Sequence, residues 1–329
     1  MNAPEYKRRQ TELRTLVDAR LSALIRSSVC PPLLEGCRHV LLTGGKRARA
    51  LLVLLSAEAV GGRARDALDA AAATEILHNF TLVHDDIMDH AATRRGKPTV
   101  HVKWNVNYAL LVGDVLVGLA YRGLLETRSR HIQRMIRLFT DGLLEVCEGQ
   151  ALDLSQEALR RSTMHAYFAM IAKKTARLFS MAAELGALAG GGTPSQVRTL
   201  RTFGQYLGRA FQVQDDLLDV VADQQEFGKT IGGDIRERKK TFLWLAALEQ
   251  TSGSDHKTML RIMDPHMRIT PRTISRVTRI YRTSGGIDRA RAQIHGDTHR
   301  AIAALRPLGT NKATMTLRWF SEQLLHRVS

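Results

Sequence analysis

The chain has 329 residues, of which 44% are hydrophobic and only 5% are aromatic. A chain of this length holds one large domain or two average ones, and its richness in alanine and leucine favours helices over a β-sandwich or a barrel. The net charge of +16 favours polyanionic partners such as phosphorylated small molecules, acidic lipids or nucleic acids.

The amino terminus and the cysteines argue against secretion. The chain begins MNAPEYKRRQTELR, with charges where a signal peptide has its apolar core. The most apolar windows, 50–60 and 109–120, are too short or too interrupted by charge to span a bilayer. Cys30, Cys37 and Cys147 form no Cys-x-x-Cys pair, which argues against a disulfide framework or a zinc site and is typical of a reducing compartment. The sequence therefore predicts a cytoplasmic protein without a transmembrane segment.

Helical periodicity dominates the chain. Residues 66–89 carry apolar side chains at steps of three and four, which predicts a long amphipathic helix. The glycines at 190–192 predict the end of one helix, and the Thr-Pro pair at 193–194 predicts the start of the next. A second Thr-Pro pair at 270–271 repeats this start signal, and the glycines at 285–286 predict a further break.

No series of alternating strands and no linker rich in proline or serine interrupts this pattern. One all-α domain spanning residues 1–329 is therefore predicted, with 223–238 as its longest irregular segment. Residues 256–329 contain 14 lysines and arginines against four aspartates and glutamates. Solvated helix faces are the simpler interpretation of this basic part, because it has neither a dense basic block nor interleaved aromatic residues, and nucleic-acid binding is a minor alternative.

Two acidic segments, DDIMD at 85–89 and DDLLD at 215–219, repeat one spacing. On a helix, residues four apart such as Asp85 and Asp89 project from one face, with side chains about 6 Å apart. Such carboxylates repel unless a cation lies between them, and a donor set made only of oxygens favours Mg²⁺. Two acidic helix faces would suit a diphosphate held through bridging metal ions. The alternative is an acidic solvated surface, against which the apolar flanks of both segments argue.

Basic residues accompany these segments. Arg94 and Arg95 follow the first one, and guanidinium groups bind phosphate oxygens in a bidentate manner. The segment GGKRAR lacks the spacing of a P-loop. The remaining basic residues of this set are Lys46, Arg47, Arg49, Lys173, Lys174 and Lys229. Together they indicate a site for two phosphorylated ligands, one clamped by metal ions and one held mainly by direct contacts.

These segments resemble the motifs of the trans-isoprenyl diphosphate synthases, or polyprenyl synthetases, over about residues 40–245. GGKRAR is similar to the family's G-G-K-x-x-R-P, with Ala50 in place of proline, and EILHNFTLVHDDIMDHAATRRGKPTVH matches the stretch around the first aspartate motif. LLVGDVLVGLA, GQALDL, KKTARL, GRAFQVQDDLLDV, GKTIGGDI and ERKKTF follow in the family's order. An ordered set of this kind is far more specific than a single DDxxD.

The resemblance implies one all-α bundle around a central apolar cavity, assembled as a homodimer, with Mg²⁺ as cofactor at up to three ions per site. It implies direct Mg²⁺ ligation by Asp85, Asp89 and Asp215, supported by Asp86, Asp216 and Asp219. The allylic diphosphate would be bound by Arg94, Lys174, Lys229 and Lys239. Isopentenyl diphosphate would be bound by Lys46, Arg49, His78, Arg95 and Phe211. The reacting centre would be lined by Lys174, Thr175 and Gln212, with Gln150 and Asp153 nearby.

The implied reaction is the Mg-dependent condensation of isopentenyl diphosphate with dimethylallyl, geranyl or farnesyl diphosphate. The allylic diphosphate ionises, the π bond of isopentenyl diphosphate attacks the carbocation, and the departed diphosphate takes the proton. His84 and His101 are interpreted as hydrogen-bonded structural residues rather than as general bases.

Product length in this family depends on the residues about one turn before the first aspartate motif. Phe80 and Thr81 occupy these places, about 6–8 Å below the metal ions. A bulky Phe80 beside a small Thr81 is similar to the arrangement in synthases of geranylgeranyl diphosphate (C20). Farnesyl diphosphate (C15) or a longer product is the alternative.

Two rival functions remain within this resemblance. A terpene cyclase typically has a second metal motif of another form and lacks the isopentenyl-site basic residues, so condensation is favoured. A non-catalytic partner subunit tends to lose metal-binding aspartates, and here both motifs are complete. Three changes from the family pattern affect local geometry and remove no charged ligand. They are Ala50 for proline, Arg238 for glycine and Leu243 for proline.

Overall fold

Helices make up nearly all of the secondary structure in the computed structural model, which describes residues 3–158, 162–221 and 232–325. Within the first range the helices are α1 (Ala3–Ser28), α2 (Pro31–Leu41), α3 (Ala48–Ala59), α4 (Leu68–Met88), α5 (Val100–Lys103), α6 (Val106–Leu125) and α7 (Ile132–Ala158). They continue with α8 (Met164–Ile171), α9 (Arg177–Ala189), α10 (Pro194–Val221), α11 (Gly233–Arg236), α12 (Phe242–Gln250), α13 (Gly253–Arg261), α14 (Pro271–Thr283), α15 (Gly286–Ala304) and α16 (Lys312–Leu325). The all-α prediction is confirmed.

Several helix ends lie where the sequence predicts them. α9 ends at Ala189 and α10 begins at Pro194, where Thr193 and Gln196 cap each other's backbone N–H groups at 2.8 and 3.3 Å. α14 begins with the same device, a capping box formed by Thr270 and Thr273. These predictions are confirmed. Such helix ends can be predicted because capping depends on residues that are close in sequence.

Two local features differ from the sequence interpretation. The antiparallel strands β1 (Thr93–Arg94) and β2 (Lys97–Pro98) form a hairpin that no sequence pattern had indicated. The segment 223–238, predicted to be irregular, contains the short helix α11. The prediction is therefore wrong for residues 233–236, while 222–231 lie outside the described residues.

Contacts along the chain define two compact units. The first unit comprises Met1–Leu143, Leu178–Gly204 and Ile302–Phe320, and the second comprises Leu144–Arg177, Gln205–Ala301 and Ser321–Ser329. The single-domain assignment stays a prediction.

In the first unit, α4 packs along α6 and also contacts α3 and α1. Small residues allow this close approach, because the alanines at 70–73 of α4 and Gly113 and Gly123 of α6 are buried. The arrangement fixes the carboxyl end of α4, which carries the first acidic segment.

α6 is long and apolar enough to cross a membrane by length and composition alone, and 44% of its most apolar window is buried. No other helix in the described ranges meets both criteria. α6 is longer than the window 109–120 and contains Asp114 and Arg122. One side packs on α4, whereas Val106, Leu110 and Leu111 are exposed.

The core of the second unit surrounds α12. Trp244 is 1% exposed, and its indole N–H donates to the Met259 carbonyl at 3.1 Å. Buried residues of α8, α10 and α14, among them Tyr167, Leu217 and Ile280, belong to the same cluster. This packing fixes α10, which carries the second acidic segment.

Candidate active site

The first aspartate motif (Asp85, Asp86 and Asp89) lies at the carboxyl end of α4. The helix ends at Met88, and Asp89 is its cap residue, with its N–H donating to the Asp85 carbonyl at 2.8 Å. Asp85 and Asp89 are therefore one helical turn apart, on the same side of the helix, as their spacing predicts. Both side chains are half-buried.

Asp86 has a different environment. It is only 5% exposed, and its carboxylate accepts a hydrogen bond from Arg94 Nε at 2.7 Å. Burial raises the pKa of Asp86, the Arg94 guanidinium opposes this rise, and the charge of Asp85 adds to it. Asp86 thus anchors Arg94 beside the motif.

The hairpin of β1 and β2 separates the two neighbouring arginines. Arg95 and Gly96 both have positive φ, 53° and 73°, which is the geometry of a type I′ turn. Arg94 bonds to Asp86, whereas Arg95 donates to the Gly44 carbonyl at 2.8 Å. The two adjacent arginines therefore bond to different segments, Arg94 to the first aspartate motif and Arg95 to the loop around Gly44.

Arg95 reaches the loop that carries Lys46. Gly45 in this loop has a φ of +134°, and a Cβ there would lie 3.1 Å from the Arg95 guanidinium. Glycine adopts this backbone conformation without strain, and a larger residue would also have to push the Arg95 guanidinium aside. Lys46 itself is exposed.

Arg47, the next residue, has a structural role. It is 2% exposed and donates to Asp18 at 2.8 Å, to Glu75 at 3.4 Å and to the Leu41 carbonyl at 2.5 Å. The sequence had grouped Arg47 with the phosphate-binding residues. Its contacts show instead that it fixes the start of α3.

Arg49 and His78 are two further basic residues of the first unit, and they contact each other. Arg49 Nη1 lies 3.1 Å from His78 Nε2, and the Arg49 guanidinium stacks over Phe179 at 4.7 Å. Burial lowers the pKa of His78 well below its usual value, and the charges of Arg49 and Arg95 lower it further. We name Lys46, Arg49, His78 and Arg95 the basic cluster. Arg49 and His78 contact each other, the charge of Arg95 acts on His78, and Lys46 lies in the loop that Arg95 contacts.

In the second unit, the second aspartate motif (Asp215, Asp216 and Asp219) lies on α10. Asp216 is 4% exposed and accepts hydrogen bonds from Tyr167 Oη at 2.7 Å, Gln212 Nε2 at 2.9 Å and the Phe242 N–H at 3.0 Å. Burial raises the pKa of Asp216 to about 6, although all three donors act in the opposite direction. Asp216 therefore connects α8, α10 and α12.

Asp219 accepts hydrogen bonds from the N–H groups of Gly233 and Asp234, at 3.1 and 3.0 Å. It thereby provides an acceptor for two backbone N–H groups at the amino end of α11, where the helix dipole stabilises a negative charge. Asp215 lies one turn earlier, is half-buried, and has no hydrogen-bond or ion-pair partner among the described residues.

Asp234 is a candidate that the sequence reasoning missed. Burial and the neighbouring carboxylates of Asp219, Asp216 and Asp215 raise its pKa well above the usual value, and Lys239 opposes this. Asp234 belongs to the segment GKTIGGDI, which resembles the family pattern and from which the prediction names only Lys229. The signal was thus present in the sequence.

The predicted reacting-centre residues lie on and beside a π-helical turn, Ala172–Ala176. Lys174 Nζ lies 2.6 Å from an oxygen of Asp153, and Thr175 Oγ1 donates to Gln212 Oε1 at 2.6 Å. Because Gln212 also donates to Asp216, Thr175 is joined to the second aspartate motif by two hydrogen bonds. Single π turns within helices often occur at functional sites.

Three other residues were predicted to belong to the site. Phe211 lies one turn before Asp215 on α10 and is half-buried. Lys239 Nζ lies 2.8 Å from Glu237 Oε2. Lys229 lies outside the described residues.

Arg238 explains one departure from the family pattern. Its φ is +57°, the left-handed region that glycine adopts without strain. Its guanidinium donates to the carbonyls of Asp264, Pro265 and Met267, at 3.2, 3.5 and 2.5 Å. These bonds offset the conformational cost of a side chain at this position.

The donors of the two motifs are carboxylate oxygens, which are ligands that Mg²⁺ accepts. Within the described residues, no three His, Cys, Asp or Glu side chains form a group that would hold a metal ion. Mg²⁺ usually takes one or two carboxylates, with water and phosphate oxygens completing its shell. The pair Asp85 and Asp89, and Asp215 in the second unit, offer such incomplete sets of oxygen ligands.

An all-helical chain with two aspartate-rich helix segments and a separate basic cluster defines a class of diphosphate-using synthases. The sequence model of the family described as polyprenyl synthetase matches residues 31–281. The chain belongs to this family, and it is a prenyltransferase. The family prediction is confirmed.

Individual relatives agree. The short chain isoprenyl diphosphate synthase of Methanothermobacter thermautotrophicus is 36% identical over 95% of both chains. The geranylgeranyl diphosphate synthase of Sulfolobus acidocaldarius is 41% identical over 71% of this chain and 72% of that one. The crystal structure of geranylgeranyl pyrophosphate synthetase from Pyrococcus horikoshii has a TM-score of 0.92 and 36% identity, and covers 99% of both chains.

Proposed function

We propose that this protein condenses isopentenyl diphosphate with an allylic diphosphate and that its main product is geranylgeranyl diphosphate. The observation that carries the proposal is the common design of the two aspartate motifs. Each contains one buried carboxylate bonded within the protein, Asp86 or Asp216, next to more accessible carboxylates. This design suits metal ions that also bind a substrate.

The basic cluster is proposed to bind isopentenyl diphosphate. Its members are Lys46, Arg49, His78 and Arg95, with Phe211 against the isopentenyl group. The neutral His78 donates or accepts without adding charge, whereas the two guanidinium groups supply forked donors for phosphate oxygens. Arg95, held by the Gly44 carbonyl, is oriented before the ligand arrives.

The allylic diphosphate is proposed to bind at the aspartate motifs with Mg²⁺. Asp85, Asp89 and Asp215 are the proposed direct ligands, and Asp86, Asp216 and Asp219 support them through the bonds described above. When bound, Mg²⁺ neutralises the charge of the diphosphate and so makes it a better leaving group. Arg94, Lys174, Lys229 and Lys239 are the proposed cationic contacts to its phosphates.

The chain's own residues then stabilise the carbocation that remains. The C1–O bond of the allylic substrate breaks with its electron pair going to the diphosphate, and the π electrons of isopentenyl diphosphate form the new carbon–carbon bond. Thr175 and Gln212 are proposed to orient carbonyl dipoles toward the cation, since Gln212 is fixed between Thr175 and Asp216. The diphosphate takes the released proton, so no side-chain base is required.

The C20 product is supported by two observations. Phe80 is half-buried on α4, one turn before the first aspartate motif, with the small Thr81 beside it. Several relatives, such as those of Sulfolobus acidocaldarius and Methanosarcina mazei, are named geranylgeranyl diphosphate synthases. A bulky Phe80 is proposed to end the space for the growing chain.

The proposal is tested by incubating the protein with labelled isopentenyl diphosphate, Mg²⁺ and each of the three allylic starters, followed by chain-length analysis. We expect a labelled C20 diphosphate, and no product after chelation of divalent metal until Mg²⁺ is restored. Absence of turnover with every starter would contradict the proposal and support a non-catalytic subunit.

A cytoplasmic homodimer is also proposed. Val102 of α5 and Val106, Leu110 and Leu111 of α6 are 52%, 46%, 42% and 53% exposed, an apolar surface suited to a second copy. Light scattering should give twice the monomer mass. Leu110→Arg with Leu111→Arg should give monomers, whereas Leu260→Arg, at another exposed leucine, should not. A monomeric wild type would refute the dimer.

A further inference from the structure

Phe80 does not stand alone on α4. His84, one turn later, packs against it with a distance of 4.7 Å between ring centroids and an angle of 64° between the rings. An edge-to-face contact of this kind restrains both rings. The position of Phe80 therefore depends on what holds His84.

His84 is held by a gap in α6. A Cβ at Gly113 would lie 2.1 Å from His84 Nε2 and 2.5 Å from Cδ2. Gly113 is buried within α6, so its role here is to make space, not to adopt an unusual conformation. The imidazole occupies the volume that any side chain at position 113 would fill.

No hydrogen bond holds Nε2 of the His84 imidazole among the described residues, although this nitrogen is buried. His101, in contrast, has Nδ1 3.2 Å from Thr99 Oγ1. The earlier interpretation of both histidines as hydrogen-bonded therefore does not hold for His84 Nε2. An unpaired buried nitrogen costs free energy. What the structure shows for the ring is packing, against Phe80 and over Gly113.

We propose that His84 is a positioning residue for product length: seated on Gly113, it holds the Phe80 ring across the path of the growing chain. This inference rests on the proposed function, because it specifies how the C20 limit is maintained. A prenyl chain presses on Phe80 through van der Waals contact alone, so the limit is only as firm as the support of that ring. Without His84, Phe80 can rotate into the vacated space above Gly113 and admit another isoprene unit.

The test is a double-mutant cycle read by product length. Phe80→Ala should give products longer than C20. His84→Ala should raise the ratio of C25 to C20 product about tenfold relative to wild type, and His84→Gln, which retains a planar group of similar reach, should restore C20. The double variant should match Phe80→Ala alone, because His84 acts through Phe80. Gly113→Ala, which displaces the imidazole, should also lengthen the product.

His101→Ala is the matched control and should leave product length unchanged. Unchanged C20 product from His84→Ala would overturn the inference, as would a double variant that makes longer chains than Phe80→Ala. If the wild type makes no prenyl diphosphate, the proposed function fails first. A crystal structure of His84→Ala then still decides the positioning role: a Phe80 ring moved toward Gly113 supports it, and an unmoved ring overturns it.

Discussion

In the first aspartate motif the buried carboxylate, Asp86, is balanced by a guanidinium, whereas in the second the buried carboxylate, Asp216, is held by three neutral donors. Burial raises the pKa of both. The same five-residue spacing is thus stabilised in two different ways. A sequence motif fixes which carboxylates share a helix face, but the surroundings decide which of them is available to a ligand.

The largest expected effect is a loss of kcat when an accessible carboxylate is replaced. This loss should be similar in the two motifs. Asp85→Asn and Asp215→Asn each remove a proposed metal ligand without removing volume. We expect kcat to fall about 10²–10³-fold in each, since the lost charge stabilises the departing diphosphate. Steady-state kinetics with thermal melts measures this. An effect at one position alone would show that the motifs are not equivalent.

A second prediction concerns the π turn, which is joined to the second motif through Gln212. A Cβ at Gly149 would lie 2.3 Å from the backbone nitrogen of Lys174, and backbone cannot move aside as a side chain can. Gly149→Ala should displace Lys174 and Thr175 and reduce kcat about 10²-fold. Gly118→Ala is the control, because nothing lies within 4 Å of a Cβ there. Equal activity of both variants would show that the π turn is not required.

The buried carboxylates should differ in their effect on stability. Asp216→Ala leaves the buried Tyr167 hydroxyl and the Phe242 N–H without their acceptor, so the free energy of unfolding should fall by about 2 kcal/mol or more. Asp86→Ala releases Arg94, whose side chain is 32% exposed and can hydrate, so the loss should stay below about 1 kcal/mol. Urea denaturation of both variants measures the contrast. Equal losses would contradict the distinction between charged and neutral support.

The smallest effect is expected at Arg238, after the helix that Asp219 caps. Arg238→Ala loses the bonds to three carbonyls and keeps the left-handed backbone, whereas Arg238→Gly loses the bonds and relieves the strain. The glycine variant should therefore be more stable than the alanine variant by about 1 kcal/mol. Denaturation curves of the two decide this. A more stable alanine variant would indicate that the backbone is not strained there.

Much of the helical structure could be predicted from the sequence, because helix faces and helix caps depend on residues that are close together in the chain. The helix over the first aspartate motif, the caps at Thr193 and Thr270 and the order of the family motifs all follow from local spacing. The roles of the candidate-site residues stay a prediction. Residue types and helix faces were evident, but Arg47 was grouped with ligand-binding residues and Asp234 was overlooked.

The sequence by itself determined that this chain is helical and that it resembles the prenyl synthases. It also determined that the chain carries two pairs of aspartates whose members are four residues apart. Only the tertiary structure decided that Asp86 and Asp216 are buried, that Asp219 caps α11, and that His84 rests on Gly113. The reason is physical. Helix faces follow from a repeat of 3.6 residues, whereas burial and hydrogen bonding depend on contacts such as Tyr167 to Asp216, which are 49 residues apart.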